Sequence, residues 1–188
     1  MKIYLIRHAH TQQVPDSPAA QWALSAEGYQ QAQRLAQLSF WSQVTCIIHS
    51  TEIKTRLTVE PTIEQWGLPS WSEGRFDELR RPGWFEGDYN RQVAQVFAQP
   101  QESIGDWESA QGALERVQDG MTLLRKRFVT ETVAVIGHGL IFSLYRAYLL
   151  GYPNARVEDW HQLQFASTAQ VNLLTERLLQ DFRPLSEL

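Results

Sequence analysis

Apolar residues gather in three short runs: Ile3 to Ile6, Val44 to Ile48 broken only by Thr45, and Val133 to Ile136. Runs of this length, bounded by polar residues, read as strands buried on both faces, here Lys2–Ile6, Val44–Ile48 and Thr132–Ile136. Helical spacing fills the intervals. One helix opens at Leu24-Ser25-Ala26-Glu27-Gly28 and runs to about Leu38, with Ser25 as N-cap and Glu27 in the first turn. A second runs from about Glu52 to Glu60, where Pro61 ends or kinks it. Ser109 to Phe128 is amphipathic, and Ile141 to Leu150 is closed by Gly151 and Pro153. Weaker patterns predict a short strand and turn over Trp71–Leu79, a short helix over Asn90–Ala98, and two late strands at Leu163–Ala166 and Gln170–Leu174. Arg80 to Trp107 is rich in Gly, Pro and Gln and reads as a small inserted cap.

Strands alternating with helices predict an α/β fold: a three-layer sandwich with a mostly parallel central sheet and helices on both faces. The expected organisation is one domain over 1–188 with the cap at about 80–107. In such sheets, ligands collect beyond the carboxyl ends of the strands. Each strong run breaks directly into a histidine: Ile6 into Arg7-His8, Ile48 into His49-Ser50, and Ile136 into Gly137-His138. Parallel strands would bring all three turns to one sheet edge.

Composition narrows the partners. Of 188 residues, 43% are hydrophobic and 20% charged, which suits a globular domain. The net charge of -4 argues against a nucleic-acid surface while leaving room for a local anion pocket. Cys46 stands alone, so no internal disulfide forms, and its apolar surroundings suggest a buried thiol. The first apolar run is too short for a signal-peptide core, and no run reaches membrane-spanning length. A cytoplasmic protein without a membrane partner is expected.

A neutral imidazole is a competent nucleophile near neutral pH. Attack on phosphorus needs cations around the three non-bridging oxygens. Arg7 offers a planar fork for phosphate, and His138 a second imidazole. A departing alkoxide needs a proton, for which Asp77 and Glu78 are the candidates.

Arg7-His8-Ala9-His10-Thr11 after the first strand resembles the RHG-x-T signature of the histidine phosphatase superfamily, the phosphoglycerate-mutase-like group. Further segments are similar in the same order: Leu24 to Gly28 with Gln31-Ala32, His49-Ser50 through Thr58-Val59-Glu60, Phe76-Asp77-Glu78, Gly83 to Gly87, Trp107-Glu108-Ser109 with Arg116-Val117, and Val135 to Gly139. The resemblance implies that His8 is the nucleophile that becomes a phosphohistidine. It implies that Arg7, His138, Lys54 and Thr11 meet the phosphoryl group and that Glu78 is the proton donor. It implies neither metal nor cofactor, and a small phosphorylated substrate or a phosphoprotein as partner. The activity expected is metal-independent phosphomonoester hydrolysis of the histidine acid phosphatase type.

Three positions depart from the pattern. Ala9 replaces the signature glycine. Val14 stands where the phosphoglycerate mutases carry an asparagine, which counts against a mutase. Lys54, not Arg56, falls on the second phosphate-binding arginine, keeping the charge but losing the fork. Lys54 keeps open a weak or inactive phosphate-binding, regulatory protein. A metallohydrolase using His8, His10, His49 and His138 is a poorer fit, since Arg7 would repel a metal. His49 reads as structural, His10 as a loop residue at the pocket rim, and Arg80-Arg81 as a solvated pair. Trp22 and Trp84 lie in segments placed to cover the pocket and contact an apolar part of a substrate. Sugar phosphates, nucleotide-like phosphates, a phosphoprotein and a cobalamin-pathway intermediate all remain open as substrates, and the oligomeric state is open too.

Overall fold

The computed structural model describes residues 1–188. The chain runs β1 (Lys2–Arg7), α1 (Ala26–Ala36), β2 (Cys46–His49), α2 (Ile53–Trp66), β3 (Ser70–Ser72), α3 (Tyr89–Ala98), α4 (Ala110–Arg127), β4 (Thr132–Gly137), α5 (Gly139–Leu149), α6 (Val157–Gln162), β5 (Thr168–Asn172) and β6 (Arg177–Arg183). The six strands form one sheet in the order β3-β2-β4-β1-β5-β6. The first four are mutually parallel, while β5 runs antiparallel to β1 and β6 antiparallel to β5. The expected α/β fold with a mostly parallel sheet is present.

The strand residues divide by alternation. Ile3 and Leu5 face a cluster with Val117, Met121, Phe142 and Tyr145 from α4 and α5. Tyr4 and Ile6 face the opposite cluster, with Leu35 of α1 and Val59 of α2. Helices therefore cover both faces, which is why β1 and β4 read as unbroken apolar runs. A third cluster joins Val93, Val96 and Phe97 of α3 and Trp107 to Leu140 and Leu144 of α5. It seats segment 80–107 over the carboxyl edge of the sheet.

Four expectations need correction. Pro61 lies inside α2, which continues to Trp66 and stops at Gly67 in the left-handed region, φ 63°. A proline interior to a helix costs about 3 kcal/mol. Packing of Val59, Ile63 and Trp66 in the core, with the Trp66 indole donating to Ala36 O at 2.8 Å, offsets that cost. Leu163–Ala166 is not a strand. It is the turn after α6, with Ala166 at φ 55°, and its carbonyl and ring are engaged by Arg7. The second late strand begins two residues before the expected Gln170, at Thr168. The edge strand β6 follows it unannounced, because exposed Leu179 masks its alternation. No helix is long and apolar enough to cross a membrane.

Candidate active site

Because β1, β2 and β4 are parallel, their carboxyl ends lie side by side. Arg7 pairs with Gly137 and His49 with Ile136 across the ladders. The chain leaves β1 under control: His8 N–H donates to Gly137 O at 2.9 Å, and Ala9 N–H to Thr58 Oγ1 at 2.9 Å. The next residue is held from α1. His10 N–H donates to Gln31 Oε1 at 2.8 Å, and His10 O accepts from Ser25 N–H at 3.0 Å. A Cβ on Gly28 would lie 2.0 Å from His10 O, so this approach admits only glycine.

These turns open into a cavity of about 470 Å³ lined by Arg7, His8, Thr11, Lys54, Glu78 and His138 at its floor. The His8 Nδ1 lies 2.8 Å from Ala9 O. A carbonyl only accepts, so Nδ1 carries the proton and Nε2 presents its lone pair. Burial, reinforced by His138, Arg7 and Lys54, holds the His8 pKa well below 6.5. His8 is thus neutral and nucleophilic at neutral pH. The His138 ring centroid lies 5.1 Å away. Its Nε2 lies 2.7 Å from Ser50 Oγ, while its buried Nδ1 has no partner. Burial, with Lys54, Arg81 and Arg7 around it, also pushes the His138 pKa well below 6.5.

Arg7 is fixed from the turn after α6: its guanidinium donates to Leu163 O and lies 4.0 Å over the Phe165 ring. Its buried Nε has no partner. Burial lowers its pKa to about 10, against the opposing pull of Glu78, and it stays charged. Unpaired polar atoms are rare in protein interiors. Two such atoms, Arg7 Nε and His138 Nδ1, belong to residues lining one cavity.

Glu78 sits at the N-terminus of α5. Its Oε1 accepts from Leu79 N–H at 2.9 Å and Ile141 N–H at 3.2 Å, and its Oε2 from Leu140 N–H at 3.1 Å. A carboxylate offers about four lone-pair positions, so one on Oε2 stays free. Asp77 is used elsewhere, accepting from Thr51 N–H and Oγ1; burial raises its pKa against those bonds. The Glu78 loop is fastened by Arg116, which donates to Arg75 O, Asp77 O and Glu78 O at 2.9–3.2 Å and pairs with Glu108 at 2.8 Å. Burial opposes the charge on Glu108, but bonds from Arg116 and Arg80 N–H keep its pKa below the usual range.

Lys54 is buried and donates to Glu52 Oε2 at 2.5 Å. Glu52 was not anticipated, since nothing in the local pattern marks a helix-flanking acid as turned inward. Arg56 points away, exposed and paired with Glu60. The outer cavity wall holds Trp22, Trp84, Phe85, Tyr89, Trp160 and Phe165. Arg81 belongs to this wall as well, stacked over Tyr89 and Trp107, and is not the solvated residue the sequence suggested. Val14 is exposed and outside the cavity. His49 and His10 bond to Ser50 O and Ser25 Oγ, and no three His, Cys, Asp or Glu side chains come together as a metal site.

Residues 3–178 match the family model of the histidine phosphatase superfamily, branch 1. No curated protein sequence matches the chain. Among solved structures, Bacillus stearothermophilus YhfR superposes with a TM-score of 0.77 at 18% identity, covering 97% of this chain and 96% of that one. The mycobacterial glucosyl-3-phosphoglycerate phosphatase gives 0.74 at 20%, covering 96% and 97%, and has also been solved with inorganic phosphate. The Shigella flexneri alpha-ribazole phosphatase gives 0.72 at 20%, covering 97% and 95%.

Proposed function

The chain belongs to the histidine phosphatase superfamily, and on that premise we propose that it hydrolyses small phosphomonoesters through a phosphohistidine at His8. The observation that carries the reading is the state of His8. Its Nδ1 is tied to Ala9 O, and its Nε2 is free at a cavity whose floor also holds the unpartnered Arg7 Nε and His138 Nδ1. With Ser50 Oγ donating to His138 Nε2, the proton of His138 sits on Nδ1. Both atoms are then donors for phosphoryl oxygens, with Lys54 as a third cation and Thr11 at the wall.

In the first step, Nε2 of His8 forms the N–P bond as the ester P–O bond breaks. The alkoxide leaves with a proton from the free position on Glu78 Oε2. In the second, Glu78 takes a proton from water as that water attacks phosphorus. The N–P bond breaks, its electron pair returns to Nε2, and Glu78 is again protonated. No step uses a metal. The organic part of the ester would lie against Trp22, Trp84 and Phe85, which favours an apolar or flat alcohol. Small-molecule phosphatases among the structural neighbours support this size of substrate.

The test is hydrolysis of p-nitrophenyl phosphate and of an alkyl phosphate in EDTA. His8→Ala abolishes both, together with the acid-labile phosphoprotein. Glu78→Gln depresses the alkyl ester more than the nitrophenyl ester, whose leaving group needs no proton. Wild-type turnover retained by His8→Ala overturns the proposal. A second reading, a phosphate-binding protein without turnover, draws on the Lys54–Glu52 pair. It predicts phosphate binding with no hydrolysis of any ester.

A further inference from the structure

Glu52 is the one acid buried directly behind the cavity floor. Its Oε2 holds Lys54 Nζ at 2.5 Å. Its Oε1 accepts from Glu78 N–H at 2.9 Å and lies 3.6 Å from His138 Nε2. A single side chain thus touches the lysine, the carboxylate loop and the second histidine. Lys54 is 4% exposed and Glu52 8%, so water screens their charges weakly. The ammonium also lies 5.8 Å from the Trp22 ring centroid, at the base of the aromatic wall. With both histidines neutral, Arg7 and Lys54 are the cations at the floor, and Lys54 meets the Glu52 carboxylate directly.

We propose that Glu52 weakens the retention of phosphate at the cavity floor. Its carboxylate occupies Lys54, so an incoming phosphoryl group has to share the lysine and also meets a buried negative charge. Arginine at position 54 could serve both groups with its fork; lysine is a point charge and divides between them. The consequence is a site that releases inorganic phosphate readily after hydrolysis. This inference rests on the phosphate-site reading of the cavity.

The test is direct binding of inorganic phosphate to the whole protein, by calorimetry or phosphorus NMR, for wild type and Glu52→Gln. Glutamine removes the charge and keeps one acceptor oxygen for Glu78 N–H; its amide NH2 cannot accept from Lys54, which is thereby released toward the ligand. One buried unit charge several ångströms from the ligand corresponds to roughly a tenfold change in Kd. Glu52→Gln is expected to bind phosphate about tenfold more tightly and to show stronger product inhibition, with kcat unraised. A merely structural role would give weaker binding and a lower Tm. Equal or weaker binding by Glu52→Gln overturns the role of Glu52 alone, leaving the phosphate site standing. Failure of both proteins to bind phosphate overturns the phosphate site and this inference with it. Lys54→Arg supplies the second variant: it should also tighten phosphate binding, and an unchanged Kd there counts against the sharing of Lys54.

Discussion

Replacing Arg116 with methionine tests whether the site depends on a brace that lies outside the cavity. The side chain is only 11% exposed and donates to the Glu108 carboxylate and to four carbonyls of the loop carrying Glu78, those of Gly74, Arg75, Asp77 and Glu78. Methionine keeps the aliphatic volume and removes every donor. Breaking a buried ion pair by deleting one partner costs about 3–5 kcal/mol. Glu108 retains the Arg80 N–H and some solvent, which reduces the expected loss to roughly 2–4 kcal/mol. For a chain of this size that is a fall in Tm of roughly 5–15 °C. Calorimetry and urea unfolding measure it, and a double-mutant cycle with Glu108→Gln isolates the pair. The cycle should return coupling of about 1–3 kcal/mol. Loosening the carbonyls of Asp77 and Glu78 should also displace the Glu78 carboxyl, the proposed proton donor. Turnover of an alkyl phosphate should therefore fall at least tenfold at a temperature where the variant is fully folded. Additive mutations, or a destabilised variant with wild-type kcat, would refute the claim that Arg116 positions Glu78.

Two further outcomes follow from the cavity and from the buried imidazoles. Trp84→Ala should lower kcat/KM for 2-phenylethyl phosphate by about tenfold more than for propyl phosphate, which has a similar alkoxide but no ring to stack; equal losses on the two esters would remove Trp84 from the specificity wall. His8 and His138 have folded pKa values well below their unfolded 6.5, so the unfolded chain takes up protons first as pH falls. Their contribution to stability is complete above about pH 6.5 and is lost as pH drops toward the folded values, at about 1.4 kcal/mol per pH unit for each imidazole. Urea unfolding between pH 7 and 5 should show this slope, and His8→Ala should reduce it by about one proton's worth; an unchanged slope would refute the buried neutral state of His8.

What the sequence made legible follows from burial. β1, β2 and β4 are covered on both faces, so their central side chains are apolar and their carboxyl ends were marked to within a residue, although β2 begins at Cys46 and not at Val44. Ser25 was legible as a cap, and it accepts from the N–H three residues on, at Gly28; Ser109, read only as the start of a helix, caps α4 in the same way at Gly112. Since the strong strands are parallel, locating their ends also located the site. The rest depends on contacts distant in sequence. Leu163–Ala166 has the composition of a strand, yet Arg7 draws Leu163 O and Phe165 into the site wall. Pro61 is tolerated by packing that no local window contains. Glu52 turns inward only because Lys54 and Glu78 are there to meet it.

Several residues in the segments that resemble the family never line the cavity. Gly28, Gln31 and Ser25 hold the backbone and ring of His10, Thr58 holds Ala9 N–H, and Arg116 with Glu108 holds the Glu78 loop. These contacts fix backbone positions, and the reacting side chains follow from them. That distinction sorts the departures. At position 9 the backbone does the work, through its carbonyl to His8 and its N–H to Thr58, and the added methyl packs with Leu24 and Ala32. The exchange of glycine for alanine is absorbed. At position 54 the side chain itself lines the cavity, and lysine there brings a buried acid with it. Any difference in phosphate chemistry between this chain and an arginine-bearing relative should therefore trace to the Lys54–Glu52 pair and not to Ala9.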